Sequence, residues 1–183
     1  MNKKRLSLRY YGDPVLRKKA EPIAASPAEI QELVASMFDC MYEAAGVGLA
    51  APQVGISSRV FVVDVADGDG ERLRRAFVNP VIVERSGNAV GEEGCLSIPG
   101  VRADVKRAAR IVVEASDESG EPFRLTAEGL LARAIQHETD HLDGILFVDR
   151  LSAIKRKLLE GRLKRVRPPV EGAAEASRTT PSL

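Results

Sequence analysis

Histidine is nearly missing from this chain: His137 and His141 are the only two in 183 residues. Cysteine is as scarce, with Cys40 and Cys95 alone, and two unpaired thiols argue for a reducing compartment over a disulfide-stapled secreted scaffold. No run approaches the ~18 apolar residues of a membrane span. The start, Met1-Asn2-Lys3-Lys4-Arg5, is basic, but no apolar signal region follows it, and the Gly12-Asp13-Pro14 segment comes too soon to leave room for a transit peptide. A cytoplasmic protein is expected. Internal repeats are absent, and the glycine-rich stretch Gly46 to Gly55 lacks the Gly-Lys-Ser/Thr ending of a phosphate loop. A net charge of +1 names no partner by itself, so neither membrane nor DNA is expected.

What is present concentrates in His137-Glu138-Thr139-Asp140-His141. On a helix, positions i and i+4 share a face, so both imidazoles can reach one metal ion. Glu138, beside the first histidine, is placed to move protons on a water at that ion. A catalytic site of this kind uses three protein ligands. One protease class continues with Gly and then a third His; here Gly144 is in place, but Phe147 stands where the histidine is needed. With no other histidine in the chain, the third ligand is Cys, Asp or Glu, and Asp143 and Asp149 downstream are available.

Upstream lies Glu92-Glu93-Gly94-Cys95-Leu96-Ser97. Cys95 is flanked by Gly94, which lets a backbone approach closely, and by a β-capable stretch, and a thiolate suits zinc or ferrous iron. Taken alone it reads more readily as a small buried hydrophobe than as a ligand. Cys40 sits in an apolar helical pattern and reads as core. The segment Gly46 to Gln53 reads either as a helix end with a tight turn, or as small residues admitting an extended substrate backbone, with Gln53 a donor to a developing oxyanion.

In this order, the three segments resemble the motifs of peptide deformylase: Gly46 to Gln53, Glu93 to Ser97, and Gln136 to Leu142. The similarity extends through Gly12 to Arg17 and Asp143 to Arg150, and covers about residues 6 to 165. The resemblance implies a metal held by Cys95, His137 and His141, with water as a fourth ligand. Glu138 would be general base and then acid, and Gln53 with the Leu96 N–H would hold the oxyanion. It implies one divalent ion, typically Fe2+, with Zn2+, Ni2+ or Co2+ able to take its place. The substrate would be the N-formyl-methionine end of a nascent polypeptide, and the products formate and a free amine. Val47, Gly48, Leu130, Ala134 and the stem of Glu93 would meet the substrate, and Arg102 its backbone. Gly91 stands where many members carry a larger apolar residue. Arg133 is a long cation near the metal helix, a position that facing solvent would equally explain. The competing readings are a metallopeptidase cutting internal bonds and an inactive relative that only holds metal or binds ribosomes.

The rest of the chain supplies the frame. Ser26-Pro27-Ala28-Glu29 is a capping box with Pro at the first helical position, predicting a helix to about Ala45 with Ile30, Leu33, Val34, Met37 and Met41 inward. Strands are expected at 59–65, at 77–84, and at 110–115 and 123–126, the last two forming a hairpin, with a turn at 67–70. Thr126 is expected to cap a metal helix over 127–142, and Gly144 to stop it. Ser152 is expected to cap a last helix that ends at Pro168-Pro169. Between Lys155 and Arg167 seven bases face one acid, Glu160, a basic helix suited to ribosomal RNA or to plain solvation. The expected fold is a compact single α+β domain with antiparallel or mixed strands around a central metal-binding helix, Cys95 entering from a strand, and helices at both ends. Residues 1–167 would form the catalytic domain and 168–183 a disordered tail.

Overall fold

The computed structural model describes residues 5–66 and 72–166. Helix α1 (Pro27–Glu43) begins at the expected capping box: the Ser26 hydroxyl accepts from Glu29 N, and the Glu29 carboxylate accepts from Ser26 N at 2.9 Å. It ends near the expected place, with Ala45 in the left-handed region at φ 55 and Gly46 N donating to Met41 O. The chain then forms a short strand β1 (Gly48–Ala50) and one 3-10 turn (Ala51–Val54), in place of a plain helix end and turn.

Strands β2 (Val60–Ala66), β3 (Arg72–Ser86), β6 (Arg110–Ser116) and β7 (Pro122–Glu128) join β1 in an antiparallel sheet of order β1-β2-β3-β6-β7. The apolar run of β2 is explained by its place. Phe61, Val63 and Val65 face one core, Val60 and Val62 the other, so both faces are covered and no polar alternation is required. Strand β3 begins before and ends beyond the expected 77–84, because its second half pairs with β6 after the first half has paired with β2. A separate two-stranded ribbon is made by β4 (Ala89–Glu93) and β5 (Ala103–Arg107).

Helix α2 (Gly129–Leu142) packs over β1, β2, β6 and β7. Its cap position is Glu128, without a side-chain cap. Thr126 is not the cap, because it lies two residues earlier, inside β7, paired with Val112. Gly144 stops α2 as expected. Its φ is 72, and a Cβ there would lie 2.6 Å from Arg17 O, so both conformation and space require glycine. Helix α3 (Ala153–Leu163) is capped by Ser152 and ends five residues before the first of the expected prolines. The expected turn at 67–70, Arg167, Pro168-Pro169 and the expected tail lie outside the described residues. Among the described residues, no helix is long and apolar enough to cross a membrane.

Candidate metal centre

Two side chains of the site come from one face of α2, and the third from the turn after β4. The structure corrects the expected strand position of Cys95: the strand ends at Glu93, and Cys95 lies in a turn closed by Ile98 N donating to Cys95 O at 2.9 Å. Tyr11 N donates to Ser97 O at 2.9 Å and pins this turn to the N-terminal segment. Cys95 Sγ lies 3.3 Å from His141 Nε2, and one ligand atom from each of Cys95, His137 and His141 fits within 4.8 Å of the others. All three residues are buried.

The surroundings fix the imidazoles for ligation. His137 Nδ1 donates to Glu93 Oε2 at 2.9 Å, which leaves Nε2 as a lone-pair donor toward Cys95 and His141. Glu93 is fully buried. Its Oε1 and Oε2 accept from Arg107 Nε and Nη2, each at 2.8 Å, and Oε1 also accepts from Arg133 Nη1 at 2.7 Å. Arg107 donates further to Asp140, which in turn accepts from Arg150. Burial opposes its charge, but the Arg107 and His137 hydrogen bonds hold the Glu93 carboxyl far below the usual carboxylate range. Burial likewise opposes the Arg107 charge, yet Glu93 and Asp140 hold it firmly protonated.

The inner groups are displaced the other way. Burial pushes the Cys95 thiol up to about 12, with the Glu138 charge adding to the shift. Burial drives Glu138 well above the usual range, with Glu93 reinforcing it, and holds His141 well below the usual imidazole value, with the His137 charge reinforcing that. Burial in this centre therefore opposes charge on Cys95, Glu138 and His141 alike. His137 Nε2, His141 Nδ1 and both Glu138 oxygens are buried without a hydrogen-bond partner, a situation that costs about 1–3 kcal/mol per group. A divalent ion among Cys95, His137 and His141 reverses this balance, since it favours thiolate and carboxylate and takes the free lone pair of His137. The donor set of one sulfur and two imidazoles fits zinc or ferrous iron.

Gln53 is fully buried; its Oε1 accepts from Ala50 N at 2.8 Å, and its Nε2 points to Ser97 Oγ at 3.2 Å and Cys95 Sγ at 3.5 Å. The amide donor thus sits at the sulfur. The Leu96 side chain packs at Gly46, where a Cβ would lie 2.6 Å from Leu96 Cδ1. Gly48 lies so close to Glu138 Oε1 that no side chain fits there. Val47 packs at the core cluster containing Ala134, whereas Leu130 is half exposed and Arg102 is exposed, 3.9 Å from Glu92. Arg133 is buried and does not face solvent. Phe147 is buried with its ring 6.3 Å from that of His137, and Cys40 is core, as expected. Arg107, Ser97 and Asp140 escaped sequence reasoning. Ser97 and Asp140 lie inside the motif segments, so proximity could have flagged them, while nothing in the spacing of Arg107 marks it.

The family model for polypeptide deformylase matches residues 6–157. A peptide deformylase of Acidobacterium capsulatum is 47% identical over 156 residues, which cover 85% of this chain and 92% of that protein. The crystal structure of a peptide deformylase from Legionella pneumophila superposes with a TM-score of 0.80 at 45% identity, covering 88% of this chain and 94% of that one. That of a Thermus thermophilus peptide deformylase gives a TM-score of 0.80 at 48% identity, over 86% and 95%.

Proposed function

Because the chain belongs to the polypeptide deformylase family and has its metal-dependent deformylase activity, we propose that its own residues divide the reaction as follows. Cys95, His137 and His141 hold the metal. When bound, such an ion polarises a carbonyl and lowers the pKa of a coordinated water from 15.7 toward about 7. Glu138 accepts the proton of the water that attacks the formyl carbon, then delivers it to the departing amine as the C–N bond breaks, leaving formate and a free N-terminus. Its burial without a competing hydrogen-bond partner leaves both carboxyl oxygens free for that task. Gln53 Nε2 and the Leu96 N–H donate to the oxyanion. Val47, Leu130 and Ala134, with the stem of Glu93, take the methionine side chain, while Gly48 also meets the substrate and Arg102 its peptide backbone. The substrate is the N-formyl-methionine end of a nascent polypeptide.

The observation that carries this reading is the convergence of a thiol and two imidazoles at one point, with the unpartnered buried Glu138 next to one of them in the chain. Ferrous iron is the metal we assign, with zinc, nickel or cobalt as substitutes; the sulfur and nitrogen donors suit all four. We assign the catalytic unit to residues 1–167 and the protein to the cytoplasm. The basic stretch from Lys155 to Arg167 is assigned to ribosomal RNA, on its charge and on the exposure of α3.

The test is formate release from a formyl-Met tripeptide by protein loaded anaerobically with ferrous iron, with metal content measured on the same sample. Formate, and none of the corresponding acid from an acetylated twin peptide, is expected; no formate from fully loaded protein would overturn the reading. Gln53→Ala should retain its fold and lose about 3 kcal/mol of transition-state stabilisation in kcat. Near-normal turnover in that variant would remove Gln53 from the oxyanion site.

A further inference from the structure

Gly91 and Arg133 lie 42 residues apart in sequence, but in the fold they are one feature. The Arg133 guanidinium donates to Glu93 Oε1 at 2.7 Å, Val105 O at 3.0 Å, Ala89 O at 3.1 Å and Gly91 O at 3.4 Å. One side chain of α2 therefore bonds to both strands of the β4–β5 ribbon and to the carboxylate that orients His137. Gly91 makes this possible. A Cβ there would lie 3.1 Å from Arg133 Cζ and Nη2 and 3.2 Å from Nε, so a side chain at this position requires the guanidinium to give by at least a few tenths of an ångström. Gly91 is not in a left-handed conformation, so crowding alone opposes a side chain at that position.

The geometry links this clamp to the metal centre by two short routes. Arg133 and His137 are four residues apart on α2, share its face, and both grasp Glu93, one through each oxygen. Glu93 is also the last residue of β4, and Cys95 follows two residues later. The Arg107 fork holds the carboxylate plane from β5, and Arg133 pulls Oε1 toward α2, so together they set where Oε2 meets His137. Lysine at 133 could not span four acceptors with a point charge.

We propose that Arg133 is a positioning residue. It ties the ribbon that delivers Cys95 to the helix that delivers both histidines, and so sets the geometry between thiol and imidazoles, with Gly91 as its matched seat. The inference rests on the metal-dependent deformylase reading for its catalytic consequence.

The test uses full-length protein loaded with cobalt(II), comparing wild type with Arg133→Met, Arg133→Lys, Gly91→Val and the Gly91→Val/Arg133→Met double variant. The readouts are the visible ligand-field spectrum, the rate of cobalt loss to excess chelator, kcat and KM, and Tm. Arg133→Met and Gly91→Val should each shift the spectrum and speed metal loss about tenfold, the low end of what such supporting contacts contribute. Both should lower kcat more than they raise KM, and lysine should not restore either property. The double variant should be no worse than its worse parent, because both changes remove the same contact. Arg59, which donates to Asp143 at 2.8 Å beyond the far end of α2, is the control: Arg59→Met should lower Tm without moving the spectrum. Should Arg133→Met not fold, Gly91→Ala applies the same pressure with one methyl group. An unchanged spectrum and release rate in folded Arg133→Met or Gly91→Ala, or fully additive losses in the double variant, overturn the proposal. Wild type that binds cobalt but releases no formate overturns the deformylase reading, and leaves the spectral test of Arg133 intact.

Discussion

Helices α1 and α2 flank the same strand, yet they are held by different physics. Helix α1 buries a stripe of Ile30, Val34, Met37, Phe38 and Met41 and leaves its far side to water. Helix α2 is buried over the whole stretch from Leu131 to Leu142, and more than half of that stretch is ionisable or polar: Arg133, Gln136, His137, Glu138, Thr139, Asp140 and His141. The first is stabilised by apolar area removed from water, about 25 cal/mol per Å2. The second contributes the site, and its charges are tolerable where they find a partner: Arg107 and Arg150 for Asp140, and Glu93 for Arg133 and His137, while Glu138 has none. Function has been placed where packing alone would have chosen leucine.

If the contrast is real, substitutions in the two helices should separate activity from stability. The largest separation is expected from Glu138→Ala. Turnover should fall by about 100- to 10,000-fold, while metal content stays near wild type and Tm does not drop, because an unpartnered buried carboxylate is removed. Loss of metal along with activity would make Glu138 a structural group.

Arg107→Met comes next. It leaves Glu93 and Asp140 buried with one cation fewer, and should cost about 3–5 kcal/mol in urea unfolding. The pH dependence has a definite sign. Since the folded-state pKa of Glu93 is depressed, its contribution is fully present above the ordinary carboxylate value near 4.3, and is lost as pH falls through the folded value. The variant should lose that acid-side slope along with its stability; a parallel profile would mean that other carboxylates govern it.

Met37→Ala tests the opposite helix. Met37 is fully buried, so truncation should cost about 2–5 kcal/mol of stability. At temperatures where the variant is folded, kcat and metal retention should equal those of wild type. A specific loss of metal would break the comparison, since it would couple the apolar helix to the site.

The smallest effect is expected from Ser26→Ala, which removes the cap of α1 and should cost about 1 kcal/mol, measured by thermal unfolding. Activity should not change.

The same contrast explains which features could be read from the sequence. Ser26 to Glu29 carries its own geometry, because a capping box is closed by neighbours three residues apart, and the inward stripe of α1 follows from 3.6-residue periodicity. The pair His137 and His141 is equally local, since one helical turn brings them together. Thr126 misled because capping chemistry was available at a residue that strand pairing had already claimed for β7. Cys95 was legible as a donor but not as a turn residue, because the ribbon ends at Glu93 for reasons of pairing with Ala103. Arg107 had no local signal at all. An arginine on an alternating strand reads as solvent-facing until a buried carboxylate is found opposite it.

By itself, then, the sequence determined the α+β pattern, the helical spacing of the two histidines, the shortage of other ligands and the capping of α1 and α3. Each of these depends on contacts between residues within a few positions of one another. Only the tertiary structure decided that Cys95 closes the site from 42 residues before His137, that Glu93 is gripped by two arginines, and that Gly91 lies against the Arg133 guanidinium. These depend on which surfaces meet when the β4–β5 ribbon packs on α2. In that dry interior a charge is stable only beside its partner, so the partners, and not the local pattern, dictate where each side chain points.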